Sequence, residues 1–146
     1  MNNIVITSLY GNPLHLGHLE YLEEAKKLGY HICIVNNDNQ VKLKGSTPLL
    51  NEETRLGIVD GLKCVDMTVL SIDGGVSVSQ TLGMLGTLLK HHHVFFCNSG
   101  DQIKWNPNEK IVCERYGIKM KFLKLPKINS SSEIIQNIER LPRDKI

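Results

Sequence analysis

Arginine is scarce in this 146-residue sequence, four against thirteen lysines, and no four basic residues stand together. Proteins that read nucleic-acid grooves usually show a denser arginine patch, so no nucleic-acid partner is expected. Long apolar runs are missing as well. No stretch approaches the roughly eighteen residues that a bilayer-crossing helix needs, and no membrane association is expected. The opening residues, MNNIVITSLYGNP, show neither a basic leader nor a small-residue cleavage site, so no secretory signal is read there. C-x-x-C pairs are absent. Cys33, Cys64, Cys97 and Cys113 are scattered, three of them inside apolar runs, which predicts core thiols in a reducing cytoplasm rather than disulfides or a zinc site. Net charge is only +2 with 22% charged residues, which announces neither disorder nor a polyanion-binding surface. Repeats, low-complexity tracts and linkers are absent too, so residues 1–146 are expected to form one domain around one core.

What is present is alternation. Short β-branched runs (NIVITSL, YHICIVN, MTVLSI, HVFFC, IKMKFLKL) take turns with amphipathic stretches. The first of those stretches, HLEYLEEAKKLG, carries Leu19, Leu22, Ala25 and Leu28 at helical spacing, with Glu23 and Lys27 four apart. Asn51 is a good N-cap for EETRLGIVDGLK. Asn106-Pro107 opens another helix, with Glu109 close to a capping box, and Gly117 closes it. SQTLGMLGTLLK is a helix, and a last one is expected to start at Ser130-Ser131-Ser132-Glu133. DNQVKLKGSTPLL is expected to be a polar loop. Five strands separated by crossovers predict an α/β fold, a Rossmann-like five-stranded parallel sheet with helices on both faces.

In such sheets the ligand lies beyond the carboxyl ends of the strands, where strand order reverses and helix N-termini converge. The loop after the first strand holds Gly11-Asn12-Pro13 and then His15-Leu16-Gly17-His18. Two imidazoles three residues apart at a helix start can face one point, with Gly17 letting a ligand approach the backbone, a site that favours phosphate. The spacing does not suit zinc, which wants histidines at i and i+4 with a carboxylate, and no metal-ligating residue is expected. The tract His91-His92-His93 is expected to be a polar lead-in to a strand, with no second ligand cluster beside it.

The run G-N-P-L-H-L-G-H resembles the signature of the HxGH nucleotidyltransferase superfamily. Val41-Lys42-Leu43-Lys44-Gly45, Asn51-Glu52-Glu53-x-Arg55 and Cys64-Val65-Asp66 resemble, in order, a stretch of its glycerol-3-phosphate cytidylyltransferase and heptose-phosphate adenylyltransferase branch. Ser99-Gly100-Asp101 and Ser130-Ser131-Ser132 resemble two further motifs of that branch, so the similarity spans nearly the whole chain. Asn12 stands where an acidic residue is frequent, and Lys124 and Lys127 lie near where an arginine often precedes the serines.

The resemblance implies transfer of a nucleoside monophosphate from CTP or ATP to a phosphorylated small alcohol or sugar, with release of pyrophosphate. It implies that His15 and His18 contact the triphosphate and the transition state, and that Lys44 bridges the phosphates. Tyr10, Gly11, Asn12 and Gly17 fall to the nucleotide, and Ser130, Ser131 and Ser132 to the β- and γ-phosphates. Gly100 and Asp101 fall to the ribose or base, although Asp101 could equally cap a turn. Mg²⁺ is expected to travel on the triphosphate, since the loops offer no carboxylate cage. Arg55 is a candidate to grip the acceptor phosphate bidentately, or else a helix-surface arginine paired with a glutamate. Asp38 is expected to line the acceptor pocket and Asp66 to be structural. Trp105 either closes over a ligand or packs. A homodimer is possible by the same resemblance. The alternative of another class is a nucleotide-binding regulator that retains the phosphate cradle and catalyses nothing.

Overall fold

The computed structural model describes residues 3–99, 104–125 and 139–140. Its elements run β1 (Asn3–Leu9), α1 (Leu16–Lys26), β2 (Tyr30–Val35), α2 (Asp38–Leu43), α3 (Glu52–Asp60), β3 (Met67–Leu70), α4 (Ser79–Leu88), β4 (His93–Ser99), α5 (Pro107–Tyr116) and β5 (Lys119–Leu123). The strands form one sheet in the order β3-β2-β1-β4-β5, and every pair is parallel.

The central strands are apolar on both faces because both faces are covered. Val5, Leu9, Cys33 and Val35 pack with Leu22 and Ala25 of α1 and Val59 of α3. The alternate residues Ile4, Ile6, Ile32 and Ile34 pack with Leu82 and Leu85 of α4 and Cys113 of α5. Thus α1 and α3 cover one face, and α4 and α5 the other. All four cysteines are free and buried. Burial pushes Cys33 and Cys113 up to about 12 and Cys97 up to about 11, which leaves these thiols unreactive near neutral pH.

Local caps match their sequence signals in two places. Asn51 accepts from the Thr54 N–H at 2.8 Å, and Asn106 caps α5 with Pro107 in its first turn. Four expectations change. DNQVKL is α2 rather than loop: Asn37 caps it, and Gln40 reaches back to the Asn37 N–H at 3.1 Å. Lys27 pairs with Glu24 at 2.6 Å rather than with Glu23. Glu109 does not close a capping box on Asn106, because its Oε2 accepts the Val78 N–H at 3.0 Å across the fold. The first turn of α1 starts two residues earlier than expected, at Leu16, so both histidines belong to it. The serine triplet and its expected helix lie outside the described residues.

Beneath α1 the polar residues are structural. His31 is fully buried, with Nε2 2.7 Å from Thr7 Oγ1 and Nδ1 2.6 Å from the Cys64 carbonyl. Asp66 accepts the His31 N–H at 2.8 Å and pairs with Lys26 at 2.6 Å. Among the described residues no helix is long and apolar enough to cross a membrane.

Candidate active site

The sheet forks at the carboxyl ends of its middle strands. β1 pairs with β4 only from Asn3 opposite His93 to Ile6 opposite Phe96, yet it stays paired with β2 as far as Leu9 opposite Val35. β4 keeps to β5 through Ser99 opposite Leu123. The Tyr21 hydroxyl sits in the fork, donating to the Cys97 carbonyl and accepting the Ser8 N–H at 3.4 Å. Its ring forms part of the floor of a cleft of about 860 Å³, located where strand order reverses.

His15, His18, Lys44, Tyr10, Gly11 and Asn12 all line that cleft. His15 is the N-cap of α1, and its Nδ1 accepts the Gly17 N–H at 3.1 Å. His18, one turn on, accepts the His15 N–H with its own Nδ1 at 3.1 Å. The rings stack with centroids 3.7 Å apart. A backbone N–H can only donate, so neither Nδ1 carries a proton in this arrangement, and each ring holds its proton on Nε2. The helix start therefore fixes the tautomers of two neutral donors. Burial, helped by His15 and Lys44 nearby, lowers the His18 imidazole to about 4, so it is uncharged at neutral pH.

Gly17 has a more specific reason than access to the backbone. A Cβ there would stand 2.9 Å from His15 Cε1, and the capping ring would have to leave. Gly11 has φ +61°, the left-handed region that a side chain disfavours, and the chain turns there into the histidine loop.

Lys44 follows α2 and holds its Nζ 4.2 Å from the centroid of the Tyr10 ring. It is exposed, and its ammonium has no carboxylate partner among the described residues. Asn12 anchors the segment after it: Nδ2 donates to the Thr47 carbonyl at 2.9 Å, and Oδ1 accepts the Leu49 N–H at 2.7 Å. An aspartate could make the second bond but not the first, which accounts for an amide at this place.

Arg55 and Asp38 are corrected. Arg55 is 1% exposed and does not line the cleft. Nε donates to the Leu50 carbonyl at 3.1 Å, and Nη1 to the carbonyls of Tyr10 and Asn36, both at 2.7 Å. Nη2 meets Asp38 at 2.9 Å. With four of five donors engaged inside the protein, neither a grip on an acceptor phosphate nor a surface pair with glutamate describes it. Asp38 is its counter-ion, not a pocket wall. The pair ties the ends of β1 and β2 to the start of α2, and so holds Tyr10 and Lys44 in one frame.

Trp105 packs against Phe96 and Phe122, at centroid distances of 5.7 and 4.6 Å, and also borders the cleft. Glu109 borders it as well. Burial raises its carboxyl, with Asp73 adding to the effect against the Val78 hydrogen bond. Gly100, Asp101, Ser130, Ser131 and Ser132 lie outside the described residues. Sequence reasoning missed Tyr21. Its signal was a hydroxyl-tipped ring in the buried stripe of α1, one turn after His18.

The profile of the cytidylyltransferase-like family matches residues 12–137. Among curated proteins, a FAD synthase of Thermoplasma volcanium is 29% identical over 146 residues, covering 97% of this chain and 96% of its own. The bifunctional protein HldE of Histophilus somni is 46% identical over 69 residues, which are 45% of this chain but 14% of that protein. Among solved structures, the lipopolysaccharide core biosynthesis protein of Thermoplasma volcanium aligns with a TM-score of 0.70 at 25% identity, over 88% of this chain and 100% of that one.

Proposed function

Because this chain belongs to the cytidylyltransferase-like family and is a nucleotidyltransferase, we propose that it transfers AMP from ATP to the phosphate of FMN, releasing pyrophosphate. The observation that carries the reaction class is the pair of imidazoles, each held with Nε2–H as its free donor, beside Lys44 on one cleft wall. The acceptor rests on the likeness to a FAD synthase along nearly the full length of both chains. FMN is itself a phosphorylated alcohol.

In this reaction an oxygen of the acceptor phosphate bonds to the α-phosphorus, and the bond from that phosphorus to the bridging oxygen of pyrophosphate breaks. The attacking phosphate is already anionic, so no general base is needed. What the protein must supply is alignment of two repelling anions and stabilisation of the charge that grows on the phosphoryl oxygens. The two Nε2–H groups donate to those oxygens, that of His18 from a ring that stays uncharged near pH 7, while the Lys44 ammonium moves from the Tyr10 ring to the phosphates. Mg²⁺ enters as part of the triphosphate. The cleft's donors suit phosphate oxygens, and the carboxylate that lines it among the described residues, Glu109, already accepts a backbone N–H.

The 46% segment shared with HldE favours a sugar 1-phosphate as the second acceptor to try. A crossed screen of ATP and CTP against FMN, glycerol 3-phosphate and a sugar 1-phosphate, followed by pyrophosphate release, tests the reading. FAD from ATP and FMN is expected. Turnover of a sugar 1-phosphate alone defeats the FMN assignment. Tight triphosphate binding with no product from any pair marks a regulator instead.

A further inference from the structure

The loop between β3 and α4 is held residue by residue. Asn37 Nδ2 donates to the carbonyls of Ser71 and Asp73, at 3.0 and 2.9 Å. Asn39 donates to Gly74, and Gln40 Nε2 donates to Gly75 at 2.7 Å and Ser77 at 3.0 Å. From the far side, Glu109 takes the Val78 N–H. Asp73 accepts the N–H groups of Gln80 and Thr81 at 2.7 and 3.0 Å, and thereby caps α4 from outside it. This is the use of the run Asn36-Asn37-Asp38-Asn39-Gln40: its amides read the backbone of a loop more than thirty residues on.

Inside this frame two apolar side chains are left uncovered, Ile72 at 57% and Val76 at 52% exposed, and of the two it is Val76 that lines the cleft. Its neighbour Val78 is 2% exposed. Gly74 and Gly75 precede it, and a Gly-Gly pair would be mobile without those bonds. Holding a glycine-rich loop still to present a bare valine fits a preformed contact, because ordering the loop beforehand removes that cost from ligand binding. Of the residues that the family resemblance gives to the nucleotide, one set follows β1 and two motifs follow β4 and β5 in the chain, while this loop follows β3, an edge strand on the other side of β1 from β4 and β5.

Building on the acceptor reading above, we propose that Val76 is a specificity-determining residue that meets the planar, partly apolar ring of the acceptor, so that the site selects phosphomonoesters carrying such a ring over compact polyol phosphates. Phosphate recognition remains with His15, His18 and Lys44.

The test compares Val76→Ser, and Val76→Thr as the variant of equal shape, with the unaltered protein. KM is measured for ATP, for FMN and for a sugar 1-phosphate, and FMN binding is followed separately by flavin fluorescence without triphosphate. Because Val76 is half exposed, both variants are expected to fold, which a thermal melt checks. Val76→Ser is expected to raise KM and Kd for FMN roughly five-fold and Val76→Thr less, the scale of covering part of a valine. KM for ATP stays constant. An unchanged FMN constant overturns the inference while FAD formation leaves the acceptor reading standing, and a shift confined to ATP overturns it by putting the nucleobase on Val76. If the unaltered protein turns over the sugar 1-phosphate and neither uses nor binds FMN, the acceptor reading fails first and the ring contact with it.

Discussion

Arg55 and Lys44 are cations eleven positions apart, and the fold gives them opposite lives. Arg55 is sealed beneath the loops, where three carbonyls and a carboxylate engage its guanidinium. Lys44 lies at the cleft wall, where among the described residues only the face of Tyr10 stands against its ammonium. A planar fork with five donors suits a fixed hub, and a point charge on a flexible stem suits a group that must move onto phosphate. The role of a positive charge is decided by what already occupies its donors. By that measure Lys44 and the two imidazole Nε2–H groups are available to a ligand, and Arg55 is not.

The comparison breaks most visibly through Arg55→Ala. It leaves Asp38 and three carbonyls without their partner, and a loss of about 3–5 kcal/mol in unfolding free energy is expected in denaturant titrations. A stable Arg55→Ala protein with a raised acceptor KM would restore the phosphate-gripping role. His18→Asn separates cap from chemistry, since the asparagine oxygen can still accept the His15 N–H while the cleft loses a donor. Turnover is expected to fall roughly 10²–10³-fold with the melting temperature almost unchanged. Lys44→Met should lower turnover roughly 10²-fold and move stability by no more than about 0.5 kcal/mol. A large stability loss there would make Lys44 another Arg55.

Acidification sharpens the contrast between the uncharged rings and the exposed ammonium. His18 titrates at about 4 in the folded protein, and burial also lowers His31 below its ordinary value. The unfolded chain binds these protons more readily. The stability contributed by the neutral rings is therefore complete above about pH 6.5 and is lost as pH falls toward 4. Melting temperatures taken from pH 7.5 down to 4.5 should decline, and less steeply in His18→Asn. A flat profile contradicts the neutral assignment. The smallest effect is expected from Tyr10→Leu. Without the ring that holds Lys44, KM for the triphosphate should rise about two- to five-fold, in keeping with an exposed cation–π contact, and Tyr10→Phe should restore it.

Much of the fold was legible because its signals are local. Strand alternation, the Asn51 and Asn106 caps and the histidine pair each involve residues within a few positions of one another. Two of the failures share a cause. The sequence reads α2 as a loop because its six residues form no periodic apolar stripe, and Asn39 and Gln40 within it, with the cap Asn37, bond to residues 71–77. Glu109 suggested a local cap, yet its carboxylate found Val78, thirty-one positions away.

The order of the strands and of the four helices that cover the sheet, their apolar faces and the placing of the histidine pair near a helix start follow from the chain alone, since hydrophobic period and capping act over one or two turns. Tertiary structure decided that Arg55 is a hub and not a ligand, that Tyr21 sits in the fork of the sheet, and that an amide run in α2 holds Val76 up to the cleft. A side chain's donors and acceptors are written in its residue type, but which distant backbone groups meet them is settled only when the sheet assembles.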